Sequence, residues 1–295
     1  MCRGLPFLLA LLAAGCASST SGGTDKPRFD SDRAFNTLKA EVAIGPRPAG
    51  SPADRRDARF IAARLRSAGV REVRIQRPYL NVVGRIPGAA PGAVVLGAHH
   101  DTKEIPEFVG ANDGASGVAT LLEVARDLRR PLAGPSIDLA FFDAEESPGR
   151  ADTVRAFERG GDRGSRQYLR YAAAGGRQGS PPLRSIRAMI LFDMVGDCDL
   201  RIPREASSDR GLYRLFANGS GRRSPFGGTS GAILDDQSPF ERAGIPALDL
   251  IDLDYGPGPP PGAWWHTTED DLAHVCPSSL RAVGAPALAA IPRIR

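Results

Sequence analysis

The 295-residue sequence is short of aromatics, at 6%, and has only four histidines and four cysteines. Its arginines scatter through residues 55–77, 150–187 and 201–223 and never form a dense basic run. Without a basic run or a stacking pattern, a net charge of +4 describes a solvated arginine-rich surface and argues against a nucleic-acid partner. No stretch beyond the first fifteen residues is apolar enough for a transmembrane helix. Cysteine is too sparse for a disulfide framework. Two of the four lie in the N-terminal segment, leaving Cys198 and Cys276, which either pair or stand as two buried thiols. What remains is ordinary for a globular chain, 42% hydrophobic and 24% charged, and long enough for one large α/β domain or two small ones.

The N-terminus carries an address. Arg3 precedes an apolar run from Leu5 to Ala14, and Gly15-Cys16 follows. The run is too short to span a bilayer and suits the core of a signal peptide. A small residue before Cys16 resembles the lipobox of bacterial lipoproteins, although Ala13 stands where leucine is more usual; an ordinary cleaved signal peptide is the other reading. The expectation is a signal peptide over 1–15, a lipidated flexible tether over 16–30 rich in Ser, Gly and Thr, and a catalytic domain over 31–295. The resemblance implies export, with a membrane anchor at Cys16 on the bacterial cell envelope and the domain outside the cytoplasm. A monomer is expected.

Along the mature chain, Asp32 to Val42 reads as a helix, and Ser51-Pro52 opens another that Gly69 stops. Val70 to Gln76 and Tyr79 to Ile86 read as strands. A repeating pattern then begins, in which an apolar strand ends in a polar cluster and a helix follows. Ala93–Ala98 ends in His99-His100-Asp101, and the helix 114–129 follows. Ile137–Phe142 ends in Asp143-Ala144-Glu145-Glu146, with a helix over 164–174. Ala188–Phe192 ends in Asp193, with a helix over 207–217, and Pro246–Ile251 is the last such strand. A helix from Pro277 closes the chain. This alternation predicts a single α/β domain with a central mixed, largely parallel sheet covered by helices on both faces. Ligands of such sheets bind beyond the carboxyl ends of the strands, where the polar clusters fall.

Residues 99 and 101 project to one side of an extended chain, so an imidazole and a carboxylate can cooperate there. Small residues from Gly110 to Gly117 surround Asp113, which could otherwise simply cap the next helix. Asp143, Glu145 and Glu146 end an apolar strand with no basic residue between them. Like charges so close need a cation, or one must stay protonated. A divalent metal, with one glutamate as ligand and the other as general base, answers that demand. Trp264-Trp265-His266 suggests a pocket wall with a ligand at its edge.

These motifs, in this order from about Leu96 to Asp271, resemble the zinc exopeptidase family that includes bacterial leucyl-type aminopeptidases and glutaminyl cyclases. The resemblance implies a zinc aminopeptidase-like (phosphorylase/hydrolase-like) fold. It implies that Asp113, Glu146 and His266 hold zinc, with His99 and Asp193 completing a second site in two-metal members. Glu145 would be the general acid/base, and Asp101 would support His99. All five dinuclear ligands are present, which favours a two-zinc aminopeptidase, yet one-zinc cyclases keep most of them.

Two features resemble the cyclase branch. Ile233-Leu234-Asp235-Asp236-Gln237-Ser238-Pro239-Phe240 matches its paired aspartates before Pro-Phe, and Trp265 directly precedes the histidine. There are departures: Gln237 replaces a histidine common to both branches, Asp249 stands where animal cyclases have histidine, and the 252–262 loop is longer. Segment 147–162 is a lid or an exposed insertion. The expected activity is a one-zinc glutaminyl-peptide cyclotransferase acting on peptide or protein N-termini, with Glu145, Asp235 and Asp193 as catalytic residues and Trp265 against the substrate. The alternatives are a two-zinc aminopeptidase and a non-catalytic binding ectodomain. The intact pair Glu145-Glu146 argues against the last.

Overall fold

The computed structural model describes residues 1–2, 28–221 and 224–294. Cys16, and with it the expected signal peptide and most of the tether, lies outside the described residues. Two helices come first, α1 (Ser31–Val42) and α2 (Pro52–Ser67). Asp30 caps α1 by accepting from the Arg33 N–H, and Ser51 caps α2 through the Asp54 N–H with Pro52 in the first turn. Strands β1 (Arg71–Ile75), β2 (Val82–Ile86) and β3 (Ala93–His99) follow, then α3 (Ala115–Asp127) and β4 (Ser136–Phe142). Helices α4 (Val154–Gly160) and α5 (Arg163–Ala173) lead to β5 (Ile186–Asp193). The remainder is β6 (Ile202–Arg204), α6 (Arg210–Gly219), β7 (Phe226–Thr229), α7 (Gln237–Arg242), β8 (Ala247–Ile251) and α8 (Pro277–Ala290).

The central sheet has the order β1-β2-β4-β3-β5-β8. Strands β4, β3, β5 and β8 are parallel, while β2 joins β4 antiparallel and β1 joins β2 antiparallel. The mixed, largely parallel sheet of the sequence reading is therefore present. Every residue of β3 and β8 is buried, as parallel strands covered on both faces must be. One face packs against α1, α2, α3, α6 and α8, and the other against α5 and α7. Helix α3 packs tightly where it crosses β5. A Cβ on Gly117 would stand 2.1 Å from the Phe192 carbonyl oxygen, so only glycine lets that helix approach.

One reading is revised and two open ones gain detail. The helix expected over 207–217 runs from Arg210 to Gly219, because Asp209 caps it by accepting from the Gly211 and Leu212 N–H groups; β6 and β7, before and after it, form a small separate sheet too short to leave a periodic signal. Segment 147–162, expected as a lid or an exposed insertion, contains α4, none of whose residues is buried, and walls the cavity described below. The question left open about the cysteines closes as a bond between Cys198 and Cys276, Cα atoms 4.9 Å apart, tying the chain after β5 to the start of α8.

Candidate active site

The carboxyl ends of β3, β4, β5 and β8 deliver the polar clusters to one cavity of about 380 Å³. Asp113, Glu145, Glu146, Asp193, Asp235, Trp265 and His266 all line it. His99, only 1% exposed, lies behind that wall.

Asp113 is the centre of the arrangement. One of its carboxylate oxygens lies 3.0 Å from Nε2 of His99, and the other lies 3.2 Å from Nε2 of His266. His99 Nε2 is also 3.2 Å from Asp193 Oδ1, and His266 Nε2 is 3.0 Å from Glu146 Oε1. Two groups share Asp113: His99–Asp113–Asp193 and Asp113–Glu146–His266. In each, nitrogen and oxygen donors lie within 4.8 Å of one another. The donor set is the N/O set that zinc accepts, so both groups fit a divalent metal. Burial opposes ionisation of Asp113, but hydrogen bonds from His266 and His99 outweigh it and hold the carboxyl far below its usual range. Burial likewise opposes charge on His266, yet Glu146 and its other carboxylate neighbours push its pKa up to about 12. A field that retains a proton so tightly suits a cation equally well.

Main-chain geometry holds these groups in place. Asp270 accepts from the N–H groups of Asn112 and Asp113 at 2.7 and 3.0 Å, and Tyr255 donates its hydroxyl to the same carboxylate at 2.9 Å. Asn112 accepts from the Gly196 N–H at 2.7 Å, fastening this loop to the end of β5. Asp101 stands 3.8 Å from His99 Nδ1, and its carboxylate accepts from the N–H groups of Glu145 and Glu146, at 3.0 and 3.3 Å. It therefore fixes the paired glutamates. Ala144, Met194 and His266 have positive φ of 57°, 45° and 53°, strained backbone at or beside the site residues.

Glu145 is 8% exposed, and burial together with the charge of Glu146 lifts its carboxyl well above the ordinary range. Asp235 is buried beside it, raised by desolvation and then by Asp193, Asp249 and Glu145. Gln237 donates to the Ile233 carbonyl at 3.0 Å, closing the turn that presents Asp235. Trp265 stacks on the His266 ring at a centroid distance of 3.8 Å and faces the cavity.

Three side chains escaped sequence reasoning. Asp152, from the wall segment, places Oδ1 2.7 Å from Nδ1 of His266. Lys103, 2% exposed, bonds Ser147 at 2.7 Å and pairs with Glu146 and Asp152 at 3.3 Å each. Asp270 is the third; it lies just past the Trp-Trp-His motif, and only the fold brings it to Asp113.

Fold and site together define an enzyme of the zinc exopeptidase class. The chain belongs to peptidase family M28, whose model matches residues 81–291. It is similar to the glutaminyl-peptide cyclotransferase of Bothrops jararaca, 30% identical over 231 residues, 66% of this chain and 60% of that protein's length. Among solved structures it resembles an Acidobacteriales bacterium glutaminyl cyclase, with a TM-score of 0.77 and 31% identity over 97% of this chain and 99% of that one. It also resembles a leucine aminopeptidase precursor from Bacteroides thetaiotaomicron, with a TM-score of 0.75 and 26% identity over 92% and 99% of the two chains.

Proposed function

We propose that this chain is a zinc-dependent glutaminyl-peptide cyclotransferase, converting an N-terminal glutamine to pyroglutamate with release of ammonia. The observation that carries the reading is the acid group around the cavity floor. Glu145, Asp193, Asp235 and Asp249 are each 8% exposed or less; burial and then the charge of Glu146 raise Glu145, while burial and then the charge of Asp193 raise Asp235 and Asp249. Such a group retains protons and can lend one to the reaction.

Asp113, Glu146 and His266 would hold one zinc ion, which when bound would act as a Lewis acid on the side-chain amide of the substrate. The substrate's α-amine nitrogen attacks the amide carbon, a C–N bond forms, and the bond to the amide nitrogen breaks. Glu145 takes the proton from the attacking amine and returns it to the departing nitrogen, which leaves as ammonia. Asp235 and Asp193 keep the Glu145 carboxyl poised between its two states. Trp265 packs against the substrate side chain. The cyclase-named relative that aligns along nearly its whole length supports this reading.

The group His99–Asp113–Asp193 favours a second reading, a two-metal aminopeptidase. One assay separates the two. A peptide with N-terminal glutamine should release ammonia and keep its length; shortening by one residue, with two zinc ions bound at Asp113, would refute the cyclase.

Among the described residues no helix is long and apolar enough to cross a membrane. We propose that the protein is exported and anchored through Cys16; the Cys198–Cys276 bond supports an oxidising compartment.

A further inference from the structure

A second set of metal-capable side chains lies outside the active-site groups. His100 is adjacent to His99, and neighbouring residues of an extended chain project to opposite sides. Its partners accordingly differ: Asp54 and Asp57 from α2, and Asp143 just after β4. All four side chains are 1% exposed or less. Ligand atoms of Asp54, His100 and Asp143 lie within 4.8 Å of one another.

The hydrogen bonding is consistently one-sided. Asp54 Oδ2 accepts from the Gly50 N–H at 2.8 Å, and Asp143 Oδ2 accepts from the Leu80 N–H at 2.6 Å. Asp57 Oδ2 lies 3.1 Å from His100 Nδ1. The Oδ1 atom of each carboxylate, and Nε2 of His100, are buried without a hydrogen-bond partner. Unsatisfied polar atoms at this depth are costly, more so when charged, so something must meet them. Arg47 is the nearby guanidinium; it lies 3.6 Å from Asp57 Oδ2, its hydrogen bonds go to the carbonyls of His100, Val109 and Gly110, and among the described residues no ion pair joins it to Asp54 or Asp143. Glu41, buried at 3.5 Å from Arg47, adds a further carboxylate.

We infer that Asp54, His100 and Asp143 form a buried site for a divalent transition-metal ion, distinct from the active-site groups. In the tautomer that donates Nδ1–H to Asp57, Nε2 of His100 keeps a bare lone pair, the usual support of a ligating imidazole. Two carboxylates and an imidazole suit zinc. The ion would tie α2 to the end of β3, which carries His99, and to the end of β4, which leads into Glu145. The inference stands whichever reaction the active site performs.

Wild-type crystals grown with Zn²⁺ test it directly by anomalous diffraction at the zinc edge. The expected map has a peak about 2.0–2.2 Å from one atom of each of Asp54, His100 and Asp143, in addition to density at Asp113. Peaks at the active-site groups with none at this cluster overturn the inference. In solution, Asp54→Asn should retain one zinc fewer per chain than wild type by mass-spectrometric metal analysis; equal zinc content also overturns it. If that variant does not fold, the wild-type map decides alone.

Discussion

Asp152 Oδ1 stands 2.7 Å from Nδ1 of His266, whose Nε2 faces Asp113 and Glu146. The wall segment thus reaches into the proposed zinc site by way of the outer nitrogen of a ligand. Carboxylates in this position fix the imidazole tautomer and raise its basicity, and their loss typically weakens metal binding 10- to 100-fold. Asp152→Ala should lose about that much affinity in a competition titration with a chelator. Asp152→Asn, whose side-chain carbonyl still accepts from Nδ1–H, should lose less. Equal affinity in wild type and Asp152→Ala would show that the contact is only structural.

Glu145→Gln keeps size and polarity but removes the proton carrier. Catalysis by a positioned acid/base contributes about 10²- to 10⁴-fold, so kcat for ammonia release should fall by that range. Bound zinc should be retained, because Glu146 and not Glu145 belongs to the Asp113–His266 group. Undiminished kcat would place the chemistry elsewhere.

Much of this site was legible in the sequence because each half of it is local. Apolar strands end abruptly in acids and histidines, and a parallel sheet gathers strand ends on one edge, so His99, Glu145, Glu146 and Asp193 could be placed from pattern alone. What stayed hidden depends on long-range closure. Asp152 meets His266 across 114 residues, and Asp270 meets the Asp113 N–H across 157. Each looked like an ordinary loop acid, and no local periodicity distinguishes it. The β6–β7 sheet failed for a different reason: strands of three and four residues carry no alternation to read.

Asp138 supplies a pH dependence remote from the metal groups. It sits in β4, paired with Arg85 at 2.9 and 3.1 Å, and burial lifts its carboxyl to about 6 from an ordinary value near 3.8. The folded state therefore holds this proton more tightly than the unfolded chain. The associated stability is fully present below pH 3.8 and is lost as pH rises through about 6. Asp138→Asn cannot titrate, so its stability relative to wild type should improve by up to ~3 kcal/mol from the acid limit to neutrality. Urea unfolding of both proteins across that range checks the sign; a constant difference between them would contradict it.

The disulfide encloses a long loop, with Cys198 and Cys276 78 residues apart. In the chain-entropy account, a closed loop of that length stabilises by about 4.5 kcal/mol, mostly by restricting the unfolded chain. The doubly substituted Cys198→Ser, Cys276→Ser protein should be less stable by about 2–5 kcal/mol in urea. Activity should suffer more than the fold does. The bond fastens the chain that follows Asp193 to the chain that follows His266, and the backbone pairing of Cys198 N–H with the His274 carbonyl at 3.1 Å lies alongside it. With the bond gone, the two segments remain joined by such main-chain contacts and by the Ser279 hydroxyl, which donates to the Asp197 carbonyl at 2.6 Å, and the Asp113 loop loses the rigidity of one wall. The expected signature is a fall in kcat at temperatures well below the unfolding transition. If activity and unfolding decline together at one temperature, the bond acts on global stability alone.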